Sequence, residues 1–153
     1  SQPVLTVRRA VPLDWTDYNG HMTEAKYLQA FADATDRFME LIGCDAEYIA
    51  SGGSYFTAET HIRHVDEVHA GALIDIRTRV LLGAGKKMHL WHEMYEGDRL
   101  LATGEHFLLH VSLQSRKPSE PSPEIEAALV RFAQGHASLP MPDGVGRYVG
   151  APR

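Results

Sequence analysis

The sequence predicts an α+β domain in which one antiparallel sheet wraps around one long helix. Three observations carry this. Tyr27, Phe31, Ala34, Phe38 and Leu41 follow alternating steps of four and three, which puts them on one helical face. From Ser54 the pattern changes to period two and persists to about residue 114. The segments of that second half are joined by short turns, as antiparallel neighbours are. The helix stripe through Phe31 and Phe38 must be covered, because burying each such side chain is worth roughly 1.5–3 kcal/mol. A sheet curved around the helix meets that demand, although the element order alone also fits other α+β folds.

In order, residues 4–11 (VLTVRRAV) read as a first strand, and residues 12–22 are turn-rich. The helix starts near Thr23, with Glu24, Lys26, Gln29, Asp33, Asp36, Arg37 and Glu40 on its remaining faces, and stops at Gly43. A helical turn at 45–50 precedes the Ser51-Gly52-Gly53 break. Residues 54–68 form the second strand, and Gly71 marks a turn. Residues 72–82 alternate, with Ile74, Ile76, Thr78 and Val80 facing one way and Asp75, Arg77 and Arg79 the other. After a Gly83-Ala84-Gly85 turn, residues 86–96 form the next strand. A hairpin turn at Glu96–Arg99 leads to the last, residues 99–114, which Pro118, Pro121 and Pro123 end. Residues 123–134 suit a short amphipathic helix with proline at its start. The domain is thus expected over residues 1–135, with an irregular Gly- and Pro-rich tail over 136–153.

A length of 153 residues fits one domain, and 44% apolar residues suffice for a core. No apolar run approaches the roughly 18–20 residues of a membrane span. The first ten residues, SQPVLTVRRA, lack the apolar stretch of a secretory signal. The start at Ser1 rather than Met is expected of a trimmed chain or of a segment cut from a longer one. Cys44 is the lone cysteine and cannot pair internally, which points to a reducing, cytoplasmic setting. A net charge of −5 without a basic stripe disfavours nucleic acid. The basic pairs Arg8–Arg9, Lys86–Lys87 and Arg116–Lys117 are scattered, and any of them could meet a small phosphorylated ligand.

The chemically informative segment is Asp14-Trp15-Thr16-Asp17-Tyr18-Asn19-Gly20-His21-Met22, directly before the helix. It groups an acid, an amide and an imidazole as Asp17-x-Asn19-x-His21. A carboxylate can attack an activated carbonyl or deprotonate a water. The first N–H groups of the following helix lack intrahelical partners and can stabilise an oxyanion. On residue types alone the stronger reading is a capped turn, since Asp and Asn before a helix often only bind backbone N–H groups.

A resemblance changes that balance. DYNGHM, with Tyr27 six residues after His21, resembles the start of the 4-hydroxybenzoyl-CoA-type hotdog thioesterases and the Asp-x-Asn-x-His segment of acyl-ACP thioesterases. Residues 54–68, the Gly71 turn, and residues 101–114 followed by Arg116-Lys117-Pro118 look like that family's later landmarks, so the resemblance covers about residues 4–130. More narrowly, WTDYNGHMTEAKYLQAF, ASGGSYFTAETHIRHVDEVHAG and MHLWHEMYEGD look like the betainyl-CoA thioesterases of carnitine breakdown, which occur alone or fused behind a carnitine dehydrogenase.

The resemblance implies a single hotdog domain that binds acyl-CoA between two subunits, as a homodimer or homotetramer. It implies Asp17 as catalytic acid, with Asn19 and His21 orienting the acid, water or substrate, and backbone N–H groups near His21–Thr23 polarising the thioester carbonyl. Arg116 and Lys117 are the candidates for CoA phosphates. For a trimethylammonium acyl group, aromatic faces such as Trp15, Tyr18 and Tyr55, with Glu59 nearby, are the candidate pocket, each face being worth roughly 0.5–2 kcal/mol. Tyr55 and Phe56 are adjacent on a strand and must point to opposite faces.

No metal or other cofactor is expected. His61/His64 and His89/His92 are three apart on strands, so their rings diverge, and His106/His110 lack a third ligand. Cys44 reads as a packed residue. No Gly-x-Ser-x-Gly elbow occurs, and Gly83-Ala84-Gly85-Lys86-Lys87 is a hairpin turn rather than a phosphate loop. The alternatives are a generic short-chain or aromatic acyl-CoA thioesterase and a non-catalytic acyl-CoA-binding module.

Overall fold

The computed structural model describes residues 2–152. Ser1 and Arg153, at the ends of the expected domain and tail, lie outside them. The elements are β1 (Val4–Ala10), a 3₁₀ turn (Leu13–Trp15), α1 (Glu24–Leu41), α2 (Ala46–Ala50), β2 (Gly53–His64), β3 (Leu73–Ala84), β4 (Lys87–Glu96), β5 (Arg99–Ser112) and α3 (Pro123–His136). All strand pairs are antiparallel, in the order β1-β3-β4-β5-β2. The sheet holds α1 against its inner face, which is the hotdog arrangement that the resemblance implies.

α1 buries Tyr27, Ala30, Phe31, Ala34, Thr35, Phe38 and Met39. Leu41, expected on the buried stripe, is instead 38% exposed, and Ile42 takes its place in the core. The helix ends at Leu41, and the change of backbone direction at Ile42 turns that side chain inward. Glycines let the helices approach the sheet. A Cβ on Gly104 of β5 would lie 2.9 Å from the Phe31 ring, and one on Gly83 would lie 2.6 Å from Leu129 of α3. Gly83 therefore serves packing inside β3. The chain turns two residues later, at Gly85 (φ 56°), rather than across the expected Gly83–Gly85 span.

One core cluster, with Phe31, Ile74, Ile76, Met94 and Leu101, lies beneath the N-terminal half of α1. A second, with Phe38, Ile42, Tyr55, Leu90, Leu108 and Leu129, is closed by α3. α3 is capped by Ser122, whose Oγ accepts from the Ile125 N–H, with Pro123 at the first helical position. The bulge between Val80 and Leu82 frees the Val80 N–H, which donates to His136 Nδ1 at 3.0 Å. The segment after α3 forms no helix or strand but is tied to the sheet. Arg79 donates to Pro140 O and His136 O, and Gly146 N–H donates to the Glu105 carboxylate. Trp91 is buried at the outer face beside this segment, its ring edge 3.8 Å from a Cβ position at Gly144.

Candidate active site

The Asp17 loop is a tight hairpin. Thr16 bridges Met22, Asp17 N–H donates to His21 O at 2.9 Å, and Gly20 N–H donates to Asp17 O at 2.9 Å. Gly20 takes φ 78°, a left-handed conformation that side chains disfavour. The Asp17 Oδ1 accepts from the N–H groups of Asn19 (2.9 Å) and His21 (3.2 Å), while its Oδ2 has no partner among the described residues. One carboxylate oxygen is thus fixed by the backbone and the other is left open in an exposed loop. The capped turn and the reactive acid are therefore compatible in one geometry. Asn19 is exposed, and Tyr18 stands at the tip, 96% exposed.

Three strands of contact anchor this hairpin to residues 65–72. His21 bridges His69, Met22 N–H donates to Val68 O, and Ala70 N–H donates to Gly20 O. These bonds correct one expectation. The N–H groups of His21, Met22 and Thr23 are all engaged, with Asp17 Oδ1, Val68 O and Trp15 O respectively. Among the described residues, the helix-start N–H groups without partners are those of Glu24 and Ala25, the next two in the chain. Beside them runs a groove of about 460 Å³ lined by Glu24, Tyr27, His64, Asp66 and Glu67. Burial, and then the Asp66 charge, raise the Tyr27 hydroxyl above its ordinary range.

The remaining candidates fall elsewhere. Trp15 is buried in the core, with the Arg9 guanidinium 4.1 Å from its ring centroid and Lys26 Nζ at 5.7 Å. Its indole face is already taken by the chain's own cation. Tyr55 and Phe56 do diverge: Tyr55 is buried in the second core and Phe56 is 54% exposed. Burial pushes the Tyr55 phenol well up, and its hydroxyl has no partner among the described residues. Glu59 lines a cavity of about 450 Å³ on the sheet's outer face, with His89, Glu105, Phe107 and Tyr148. Arg116 and Lys117 lie in the exposed turn after β5, beside the start of β2; Arg116 is the one described non-glycine residue with positive φ, 62°. β2 runs 12 residues from that turn toward the Asp17 loop, a span of roughly 35 Å at about 3.3 Å per residue. Within one chain, then, the acid and the candidate phosphate ligands lie at opposite ends of the sheet.

Residues 11–129 match the family model described as the thioesterase-like superfamily. The chain is 40% identical to the betainyl-CoA thioesterase of Pseudomonas aeruginosa, over 99% of this chain and 98% of that one. The chain belongs to the thioesterase-like superfamily. It is also 70% identical, over 99% of its length, to the L-carnitine dehydrogenase/betainyl-CoA thioesterase of Ruegeria pomeroyi, and it spans 31% of that relative. Among solved structures, a Pseudomonas putida KT2440 protein named as a thioesterase superposes with TM-score 0.85 at 30% identity, covering 100% and 99% of the two chains. A Staphylococcus aureus protein solved in complex with CoA superposes with TM-score 0.87 at 20% identity, over 99% and 98% of the chains, and shows the same fold.

In this superfamily member two residues join the loop that sequence reasoning did not single out. Glu67 Oε2 lies 3.3 Å from His21 Nε2, and the His69 ring stacks on His21 with centroids 4.6 Å apart. Neither stands in a motif with the Asp17 segment. Only the cross-strand register, set about fifty positions away in the chain, brings them to it. The strand histidines do split between faces as their spacing requires. His89 faces outward and pairs with Glu105 at 2.7 Å, while His92 is fully buried between Thr35 and Thr78, with 2.8 Å bonds to each. Among the described residues no helix is long and apolar enough to cross a membrane.

Proposed function

We propose that the chain is an acyl-CoA thioesterase of carnitine breakdown that hydrolyses betainyl-CoA to glycine betaine and CoA. The observation that carries this is the near full-length match to the Pseudomonas aeruginosa betainyl-CoA thioesterase. In this reading the thioester carbonyl sits at the start of α1, with the Glu24 and Ala25 N–H groups donating to the oxygen as charge develops. The free Asp17 Oδ2 attacks the carbonyl carbon or takes a proton from the attacking water. Collapse of the tetrahedral species breaks the C–S bond, and the thiolate leaves and takes up a proton; after direct attack the acyl group is left as a mixed anhydride on Asp17, which a water then hydrolyses to glycine betaine and the free carboxylate. Asn19 and His21 orient the acid and water.

With the Trp15 face covered by Arg9, the trimethylammonium group belongs in the groove beside the helix start. Glu24 and Glu67 offset its desolvation there. The protein works as a homodimer or larger homo-oligomer. The β2 edge is unpaired in the single chain and bears the exposed residues Phe56–Thr60, an arrangement that needs covering. Antiparallel pairing of two β2 edges would lay one copy's Arg116–Lys117 turn near the other's Asp17 loop, so that CoA phosphates and thioester meet in a shared site. The setting is the reducing cytoplasm, in a pathway with a carnitine dehydrogenase.

The test is a panel of betainyl-, acetyl-, butyryl- and 4-hydroxybenzoyl-CoA with purified protein and thiol detection. Betainyl-CoA should give the highest kcat/KM. Faster turnover of another acyl group would assign a generic thioesterase, and tight binding with the thioester left intact would assign a binding module.

A further inference from the structure

His21, Glu67 and His69 form a cluster whose ligand-type atoms all lie within 4.8 Å of one another. The fold builds it from two segments. His21 and His69 face each other across an antiparallel bridge, and Glu67, two residues before His69, lies on the same side of its extended segment. The three side chains are half-buried to exposed, so they can adjust without disturbing the core. His21 Nε2 is 3.3 Å from Glu67 Oε2, and the His69 ring stacks on that of His21 at an interplanar angle of 25°.

From this juxtaposition we propose that His21, Glu67 and His69 bind a first-row divalent transition metal, with Zn²⁺ as the best fit. Two imidazoles and one carboxylate match the borderline character of zinc, and the set leaves a fourth, open position. Bonds of about 2.0–2.2 Å require the three ligand atoms to stand roughly 3.3 Å apart, so binding closes them from within 4.8 Å and turns the stacked imidazoles until their ring nitrogens converge. The hard cations Mg²⁺ and Ca²⁺ are disfavoured because two of the three ligands are imidazoles. The site adjoins the Asp17 loop, since the His21 backbone N–H holds Asp17 Oδ1. On the function proposed above, a bound metal therefore inhibits hydrolysis by taking over the His21 ring and neutralising Glu67.

The experiment is calorimetric titration of chelator-treated protein with Zn²⁺ alone, followed by Co²⁺ and visible spectroscopy. One Zn²⁺ per chain in the low micromolar range is expected, with the intense absorption of tetrahedral Co²⁺. His69→Ala should abolish both, whereas the control His89→Ala should retain both. No binding, or equal binding by His69→Ala, would overturn the site. Zn²⁺ should inhibit the unmodified protein but not His69→Ala. A chain that binds Zn²⁺ as expected yet hydrolyses no thioester would uphold the site and refute the proposed activity.

Discussion

The guanidinium of Arg9 lies over the indole of Trp15, 4.1 Å from its ring centroid. Trp15 therefore holds β1 to the hairpin before α1 from within the core, where it is 6% exposed. A wall for a cationic acyl group would need that face open. Trp15→Leu should lower stability by about 2–4 kcal/mol in urea unfolding, as large-to-small core changes do. It should leave the kcat/KM ratio between betainyl-CoA and its neutral analogue 3,3-dimethylbutyryl-CoA unchanged. Collapse of that ratio would return Trp15 to the substrate pocket.

Asp17 presents one anchored and one open carboxylate oxygen. In Asp17→Asn the amide oxygen can still accept from the Asn19 and His21 N–H groups, so the hairpin keeps its shape. The variant should fold normally by circular dichroism and lose roughly 10²–10⁴ in kcat, the loss expected for a positioned acid–base group. Near-native turnover in the folded variant would remove Asp17 from the reaction.

The separation of Asp17 from Arg116 and Lys117 along β2 makes the shared site testable by mixing. Asp17→Asn protein and Arg116→Ala/Lys117→Ala protein should each be impaired alone. Unfolded together and refolded, they should recover about a quarter of native activity, because half of the dimers are mixed and each mixed dimer has one intact site. Recovery should coincide with a dimer or larger species in light scattering. A fully active monomer, or no recovery on mixing, would place the whole site in one chain.

Two buried imidazoles set an acid limit on stability. Burial lowers His92 well below the ordinary histidine range and brings His106 down to about 4. In the unfolded chain both take up protons below about pH 6.5. The unfolded state therefore binds more protons than the folded one between these values. Stability is full above about pH 6.5 and falls as the pH drops, by up to about 1.4 kcal/mol per pH unit for each imidazole. The His106 share levels off below its folded value. Among the described residues His106 Nε2 has no hydrogen-bond partner and Nδ1 has only a long 3.3 Å contact with Thr60 Oγ1, so His106→Leu should cost little at pH 7.5 and should reduce the slope between pH 6.5 and 5. Urea midpoints across that range measure both effects, and an unchanged slope would contradict them.

The sequence by itself determined the elements and their order. Periodicity of 3.6 along α1 and of two along β2–β5 is a local signal, and Gly43, Gly71 and Pro123 punctuate it where the chain must turn or start a helix. The Asp17 segment stood out because acid, amide and imidazole lie within five consecutive residues, but those residue types alone read as a capped turn, and the resemblance to hotdog thioesterases is what made it a candidate site. Tertiary structure decided what depends on register between distant segments. It covered Trp15 with Arg9, engaged the His21–Thr23 N–H groups that sequence had offered to the substrate, and brought Glu67 and His69 to His21. It also sent Tyr55 into the core and Glu59, four residues on, to the outer face, because the bulge between Thr57 and Glu59 reverses the alternation. Pairing partners in an antiparallel sheet follow from the fit of whole faces and from bulges such as that between Thr57 and Glu59, and no local run of residues encodes them.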